Sequence, residues 1–213
     1  MLVALATALA ARSILRPLLD KCGHPAATLD DAYIHFQYAR AIAEGHPFHF
    51  QAAEPASSGC TSILWPAVLA VFYKIGFRGD SILWVAWALS FAAMGALAVE
   101  AFHLTERLTS RWHAAGAAGL VLAFGGFHWF VASGMEVLPF AWAMARTARL
   151  ASEWAEDPAA RTVRARRWLV AMAWVTTLIR PEGSVFALAT AAVLGALPRE
   201  RAWPERARAG LAA

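Results

Sequence analysis

The sequence has few charged residues for its length. Charged residues make up 16% of the 213 residues and hydrophobic residues 59%, against about 25% and about 45–50% in an average soluble domain. This composition excludes an ordinary soluble domain and is typical of an integral membrane protein. The formal net charge of +4 comes mainly from arginines grouped in short stretches, not from a basic face interleaved with aromatic residues, so we expect no nucleic-acid partner.

The sequence is also poor in cysteine. Cys22 and Cys60 are its two cysteines, and they fit no spacing of a cysteine and histidine metal site. A disulfide between them is conceivable on the oxidising side of a membrane. Internal repeats are lacking as well, and this disfavours the repeated architecture of many transporters.

Apolar windows near the length of a membrane crossing recur along the chain. They predict an all-α, polytopic integral membrane bundle of about six transmembrane helices, over residues 2–19, 81–105, 112–132, 136–152, 166–180 and 183–197. A further apolar run, 60–77, contains Pro66 and Lys74 and is a poor span. We expect it to form an external juxtamembrane helix.

Arginine clusters orient this bundle. One surrounds the linker near residues 146–167 and another lies in the tail at 199–208, and the positive-inside rule assigns both to the cytoplasm. The turns at 133–139 and 180–183 are then external, as is the long segment before residue 81. The sequence thus predicts one membrane domain over 1–213, multi-pass in the cytoplasmic (inner) membrane: 20–80 form the first external loop, 81–198 the helical bundle and 199–213 a basic cytoplasmic tail.

The first apolar window has a second interpretation. Arg12 and Arg16 lie towards its outer end, against the charge rule, and the "ALA" at 8–10 resembles a signal-peptidase site. The basic start of a signal peptide is missing. A cleaved signal and a first transmembrane helix both remain open here.

Two adjacent aspartates, Asp30 and Asp31, stand at the start of a predicted interfacial helix over 31–44. Thr28 and Asp31 have capping-box spacing, and Asp30 is a candidate N-cap. Alternatively, one of the carboxylates is a general base or a metal ligand at a lipid-facing site. The helix's polar stripe includes Arg40, a candidate substrate contact.

Two short polar turns between apolar windows hold the other candidates. In "RPEG", Arg180 and Glu182 form either a local ion pair or a site at which Arg180 contacts a phosphate. In "SGMEVLP", Glu136 is either an acid that favours the start of a helix or a member of the same site. His46 and His49 are more typical of interfacial polar tips than of metal ligands, because the sequence places no third ligand nearby.

Four stretches together resemble a known family. They are "LDDAYIHFQYARAIAEGHPFHF", "SSGCTSILW", "SGMEVLPFAW" and "LIRPEGSVFAL". In order and spacing they are similar to the N-terminal module of C-type glycosyltransferases that use polyprenyl-phosphate-linked sugars, in particular the arabinofuranosyl- and mannosyltransferase-like members. The family pattern has Tyr where this chain has Cys60 and Pro where it has Ile63.

The resemblance implies an enzyme acting on the extracytoplasmic side. Asp30 or Asp31 would be the base or metal ligand, Arg180 a phosphate contact, and Glu136 part of the same cavity. It implies a lipid-linked sugar as donor, a glycan, lipid or protein hydroxyl as acceptor, and a divalent ion such as Mg²⁺ or Mn²⁺ as candidate cofactor. Such enzymes are several hundred residues long, so we expect the family's C-terminal part to be missing here. Alternative hypotheses are a non-catalytic fragment or assembly partner and, with less support, a small-molecule transporter.

Overall fold

The structure is a computed structural model that describes residues 2–197. These residues form nine α-helices and no β-strand. The helices are α1 (Leu2–Cys22), α2 (Asp31–Ala43), α3 (Leu64–Lys74), α4 (Ser81–Glu106), α5 (Arg111–Ala123), α6 (Gly125–Ser133), α7 (Val137–Glu156), α8 (Val163–Ile179) and α9 (Ser184–Ala196). The all-α prediction is confirmed for this part of the chain. The predicted basic tail, 199–213, lies outside it.

Two helices, α1 and α4, are long and apolar enough to cross a membrane. The pair α5 and α6 would make a third crossing if it is taken as one broken span. The length and composition of these helices support an association with a membrane. Each other apolar window that the sequence predicts also contains a helix, but α7, α8 and α9 do not meet the same criterion among residues 2–197.

The sequence predicts a single transmembrane helix over 112–132, but the structure has no continuous helix there. This window forms α5 and α6, which are bent by 47° about an extended residue, Phe124. The break frees backbone carbonyls, and the His128 ring nitrogen Nε2 lies 2.6 Å from the Leu122 carbonyl oxygen. A side chain that satisfies a freed carbonyl lets a broken helix persist in an apolar environment.

The core forms around α4. Leu83, Ala86, Trp87 and Met94 are buried on this helix. Helices α1, α3, α5, α6 and α7 pack around it, and α2 packs on α3. The Trp87 indole donates to the carbonyl of Ala132 at 3.0 Å. Burying such large apolar side chains stabilises the fold, while the indole N–H still finds a partner.

The turns gather at two separate ends of α4. Gly134, in the α6–α7 turn, lies against Leu83 and against Phe36 of α2, so these segments share one end. At the other end Arg107 pairs with Glu156 at 2.5 Å. The 24 residues from Leu83 to Arg107 span about 36 Å at 1.5 Å per helical residue. This is the grouping of loops that the charge pattern predicts.

Candidate active site

Asp30 and Asp31 open helix α2 and face solvent. Asp30 directly precedes the helix, and its Oδ1 accepts a hydrogen bond from the Asp31 backbone N–H at 3.0 Å. The capping box that the Thr28–Asp31 spacing suggests does not form, because the buried Thr28 hydroxyl has no hydrogen-bond partner between residues 2 and 197. Both aspartates are exposed, and neither forms an ion pair with another residue of the 2–197 segment. Asp30 is therefore a cap whose neighbouring carboxylate is free to contact a ligand.

The "SGME" turn between α6 and α7 places Glu136 in the interior. Gly134 ends α6 with φ +74°, and a Cβ at this position would lie 2.7 Å from Leu83 Cδ1. A glycine is thus needed for both the left-handed conformation and the close approach. The Trp65 indole donates to the Gly134 carbonyl at 3.3 Å. The turn so fixed leaves Glu136 0% exposed at the start of α7.

Arg180 lies between two carboxylates. Its Nη1 is 3.4 Å from Glu136 Oε1 and its Nη2 is 3.2 Å from Glu182 Oε1. The guanidinium also lies over the Phe140 ring, 5.8 Å from the centroid, where a cation is attracted to the ring face. The local pair with Glu182 is present, and in addition the structure joins Arg180 to Glu136. These two residues are separated by 44 positions in sequence.

The "RPEG" turn fixes the backbone around Arg180. Pro181 directly follows Arg180, the C-cap of α8, and starts a short 3₁₀ turn, Pro181–Gly183. A Cβ on Gly183 would lie 2.4 Å from the Thr176 carbonyl oxygen, so no larger residue fits against α8 here. The Arg180 side chain is 27% exposed. Its guanidinium is therefore held on one side and open to a ligand on the other.

His35 and Cys60 belong to the same cluster, although the sequence does not single them out. The His35 Nε2 atom lies 3.4 Å from Glu136 Oε2, and the Cys60 Sγ atom lies 3.1 Å from His35 Nδ1. Helical spacing is the signal that could have revealed His35. It follows Asp31 by one turn and lies on the buried face with Ala32 and Phe36, where an isolated polar side chain needs a partner.

The disulfide that the sequence makes conceivable between Cys22 and Cys60 does not form in the structure. Cys22 and Cys60 are both free thiols, and the Cys60 Sγ also lies 3.0 Å from the Ser62 carbonyl oxygen. Burial raises the pKa of the Cys60 thiol to about 11, so it is protonated at neutral pH. A protonated thiol donates a hydrogen bond but is a weak nucleophile.

Burial lowers the pKa of the His35 imidazole, since the charged form loses its hydration. The neighbouring Glu136 acts in the opposite direction, while Arg180 adds to the lowering and Asp31 opposes it. The imidazole is consequently neutral at pH 7. The ligand-facing charges of the cluster are then the Arg180 guanidinium and the surrounding carboxylates.

Three residues considered from the sequence lie outside this cluster. Arg40 pairs with Glu44 one turn further along α2, with Nε 3.0 Å from Oε1, and it contacts neither Glu136 nor Arg180 in the described part of the chain. His46 and His49 are stacked edge to face, with 6.3 Å between ring centroids. The His49 Nδ1 atom bonds the Glu54 carbonyl at 2.6 Å, as expected of a structural polar tip.

Two cavities flank the arginine. The first, about 540 Å³, has a mostly apolar lining that includes Ile42, Phe48, Pro66 and Pro181, and it carries the hydroxyl groups of Tyr38, Ser57, Ser58 and Thr61. The second, about 330 Å³, is apolar and is lined by residues that include Trp65, Val68, Leu89, Trp142, Val175 and Ile179. Because Ile179 lines the second cavity and Pro181 the first, the chain at Arg180 forms the boundary between a hydroxyl-bearing cavity and an apolar one. Such a boundary suits an amphiphilic ligand with an anionic junction.

The loop over residues 57–63 lines the first cavity and is fixed at both of its ends. The Tyr38 hydroxyl lies 2.5 Å from Ser57 Oγ, and the Ile63 backbone N–H donates to the Leu178 carbonyl at 3.2 Å. The second bond ties the loop to the end of α8, directly before Arg180. The departures at Cys60 and Ile63 thus fall within a loop that contacts the cluster.

A metal site receives limited support. No group of three or more histidine, cysteine, aspartate or glutamate side chains gathers at metal-binding distance between residues 2 and 197. Mg²⁺, however, commonly takes one or two protein carboxylates and completes its coordination with water and substrate phosphate. The solvent-facing carboxylates of Asp30 and Asp31 fit that smaller requirement.

Comparisons of the chain with protein-family models, with curated proteins and with solved structures find no match.

Proposed function

We propose that the chain is a membrane glycosyltransferase, or its N-terminal module, that transfers a sugar from a polyprenyl-phosphate donor to an acceptor hydroxyl on the extracytoplasmic side. In this proposal α1, α4, the α5–α6 pair, α7, α8 and α9 make the six crossings of the cytoplasmic membrane. Helices α2 and α3 lie along its outer surface. The arginine-rich end of the bundle, with Arg107 and Arg161, faces the cytoplasm.

The donor would lie across the Arg180 boundary. Its isoprenoid chain occupies the apolar cavity beside Ile179 and its sugar the hydroxyl-lined cavity beside Ser57. Its phosphate then meets Arg180, whose fork of N–H donors matches phosphate oxygens. An unpaired phosphate in an apolar environment would be very unfavourable, so a fixed cation at this junction is what such a donor requires.

The transfer itself would use the carboxylates at the start of α2. Asp30 or Asp31 accepts the proton of the acceptor hydroxyl, the oxygen attacks the anomeric carbon, and the bond from that carbon to the phosphate oxygen breaks. The lipid phosphate leaves with the electron pair of that bond. Base assistance of this type contributes about 10²–10⁴ in rate, and Arg180 stabilises the leaving phosphate through charge already in place.

A divalent ion, if bound, would be held by Asp30 and Asp31 and would neutralise part of the phosphate charge. The remaining steps depend on the chain's own residues. Asp30 fixes the backbone at the start of α2, and Glu136 with Glu182 orients Arg180. The family resemblance implies inversion at the anomeric carbon.

One observation carries the proposal: the Arg180 guanidinium is held by the buried Glu136, and the residues on either side of it, Ile179 and Pro181, line an apolar cavity and a hydroxyl-bearing cavity. The phosphate of a lipid-linked sugar is the ligand group that this arrangement fits best. The same end of the bundle also presents the free Asp31 carboxylate.

Carboxylate variants test the proposal. The purified chain in lipid vesicles would be given radiolabelled polyprenyl-phosphate sugars and a panel of acceptors. Asp30→Asn and Asp31→Asn should each retain the helix, because asparagine also caps, and the variant that lacks the base should lose at least about 10²-fold in rate. Asp80→Asn is a matched control, since Asp80 precedes α4, is exposed and makes no capping bond. Full turnover by both test variants would rule out the base and metal roles.

A further inference from the structure

The Glu136 carboxylate is buried with one oxygen unsatisfied. Its side chain is 0% exposed, and Oε2 has no hydrogen-bond donor among the described residues. The other oxygen, Oε1, faces Arg180 at 3.4 Å. The His35 Nε2 atom lies 3.4 Å from Oε2, slightly beyond the usual range for such a bond. A carboxylate oxygen left without a donor in the interior is costly, so the protonation of Nε2 matters for the site.

The surroundings of His35 decide which ring nitrogen holds the proton. On the Nδ1 side both tautomers can be satisfied. Cys60 either donates its thiol proton to Nδ1, or accepts a bond from Nδ1–H while donating to the Ser62 carbonyl. On the Nε2 side only one tautomer is favourable, because an unprotonated Nε2 would point its lone pair at the Glu136 carboxylate.

We propose that His35 is a positioning residue that holds its proton on Nε2 and directs it at Glu136 Oε2, so that Oε1 keeps the Arg180 guanidinium at the boundary of the two cavities. The assigned chain runs from the Cys60 thiol through the His35 ring and the Glu136 carboxylate to Arg180. The significance of Arg180 rests on the proposed function. The assignment of the His35 tautomer does not rest on the proposed function.

The charged groups around His35 define how this arrangement changes with pH. Asp31 on α2 and Glu136 before α7 favour the protonated ring, while burial and Arg180 after α8 disfavour it. Cys60, from the loop, remains neutral. Because burial lowers the pKa of the His35 imidazole, the ring gains its second proton only in acid. A positive imidazolium would then compete with Arg180 for Glu136 and loosen the guanidinium.

Substitutions separate the two ring nitrogens. His35→Gln places an amide N–H near the position of Nε2 and retains the donor to Glu136, whereas His35→Asn retains a polar atom near Nδ1 and removes that donor. His35→Met removes both polar atoms with a similar volume. His113→Gln is the control, because His113 contacts Thr109 and Ser110 at the opposite end of the bundle.

The direct measurement uses the full chain, labelled with ¹⁵N-histidine, in lipid nanodiscs. The His35 signal is assigned by its loss in a His35 variant, and its ¹⁵N shifts report the tautomer. At pH 7.5 we expect Nε2–H, and an Nδ1–H tautomer would overturn the inference. This readout does not depend on any substrate, and it requires only that the wild-type chain and one His35 variant be obtained.

The second measurement titrates farnesyl phosphate against each protein and follows tryptophan fluorescence. We expect His35→Gln and His113→Gln to bind within about threefold of wild type. His35→Asn and His35→Met should bind about tenfold more weakly, the factor that one hydrogen bond to a charged group supplies. Equal binding by the Gln and Asn variants would contradict the assigned donor. If the wild-type chain does not bind farnesyl phosphate, the proposed function fails, and the tautomer measurement still decides the arrangement of His35.

Discussion

The most informative perturbation is Glu136→Gln, because the bundle contains a second buried glutamate for comparison. Glu100 of α4 is nearly as buried as Glu136, with a side chain 5% exposed against 0% for Glu136. Its two oxygens are bonded to Arg146 Nη1 at 2.9 Å and to Arg149 Nε at 2.5 Å. Glu136 contacts Arg180 and His35 at 3.4 Å each. The same substitution at the two positions therefore removes a tight pair in one case and a loose pair in the other.

The geometry sets the expected losses of unfolding free energy. Breaking a buried, well-bonded pair such as Glu100 with its arginines costs about 3–5 kcal/mol. Glu136→Gln removes longer contacts, and Arg180 keeps Glu182 as a second partner, so we expect about 1–3 kcal/mol. For a chain of this size each kcal/mol lowers Tm by about 2–4 °C. The loss of sugar transfer should follow the opposite order, because displacing Arg180 misaligns the donor and can reduce the rate about 10²-fold.

Thermal unfolding in detergent and transfer assays in vesicles measure both quantities on the same preparations. Glu156→Gln serves as a surface control, since its side chain is 63% exposed, it pairs with Arg107 at the opposite end of the bundle, and an exposed pair contributes little to stability. The reasoning would be refuted if Glu136→Gln destabilised the protein more than Glu100→Gln does and left transfer by the folded fraction unchanged. Glu136 would then be a structural residue.

Three further predictions concern pKa values, thiols and topology. Glu136→Gln should lower the pKa of His35 further, because Glu136 favours the imidazolium, and Arg180→Gln should raise it, because Arg180 disfavours the imidazolium. ¹⁵N-histidine titrations of both variants measure these pKa values, and a pKa shift in the same direction in both variants would contradict this prediction. Maleimide should modify the exposed Cys22 much faster than Cys60, whose pKa of about 11 keeps it protonated, and raising the pH from 7 to 9 should leave that order unchanged in a mass-spectrometric time course. In a background without native cysteines, an impermeant thiol reagent added outside should label single cysteines near residues 55, 78, 135 and 182 but not near 108 and 158, and the reverse pattern would invert the proposed orientation.

Much of the helical framework follows from the sequence because helix length and apolar pattern are local properties. The boundaries of α2 and α4 agree with the predicted windows within a few residues, and the surface run over 60–77 contains a helix, α3. The break at Phe124 was not predicted. An apolar average over 112–132 does not register a single extended residue or the bond from His128 that stabilises it.

The candidate site was predictable only in part. The paired aspartates, Glu136 and Arg180 stand out because charge is rare in an apolar chain, and their short turns indicate where each lies along the bundle. His35 and Cys60 do not stand out as site residues, because their roles depend on contacts between distant parts of the sequence. His35 and Cys60 are 25 residues apart, and His35 and Glu136 are 101 residues apart. Arg40 is conspicuous in the sequence for its charge, yet its partner is the local Glu44.

The His35–Glu136 contact joins two halves of the site that are otherwise separate in sequence. Helix α2 contributes the aspartates, and the turns of the bundle contribute Glu136 and Arg180. Since Asp31 and His35 are one helical turn apart, about 5–6 Å between Cβ atoms, a displacement of α2 moves the proposed base and the contact to Glu136 together. A phosphate that draws Arg180 away from Glu136 would leave that buried carboxylate with the His35 N–H as its remaining donor, and their contact would become more important. In the proposed mechanism, phosphate binding would thereby tighten the contact between α2 and Glu136.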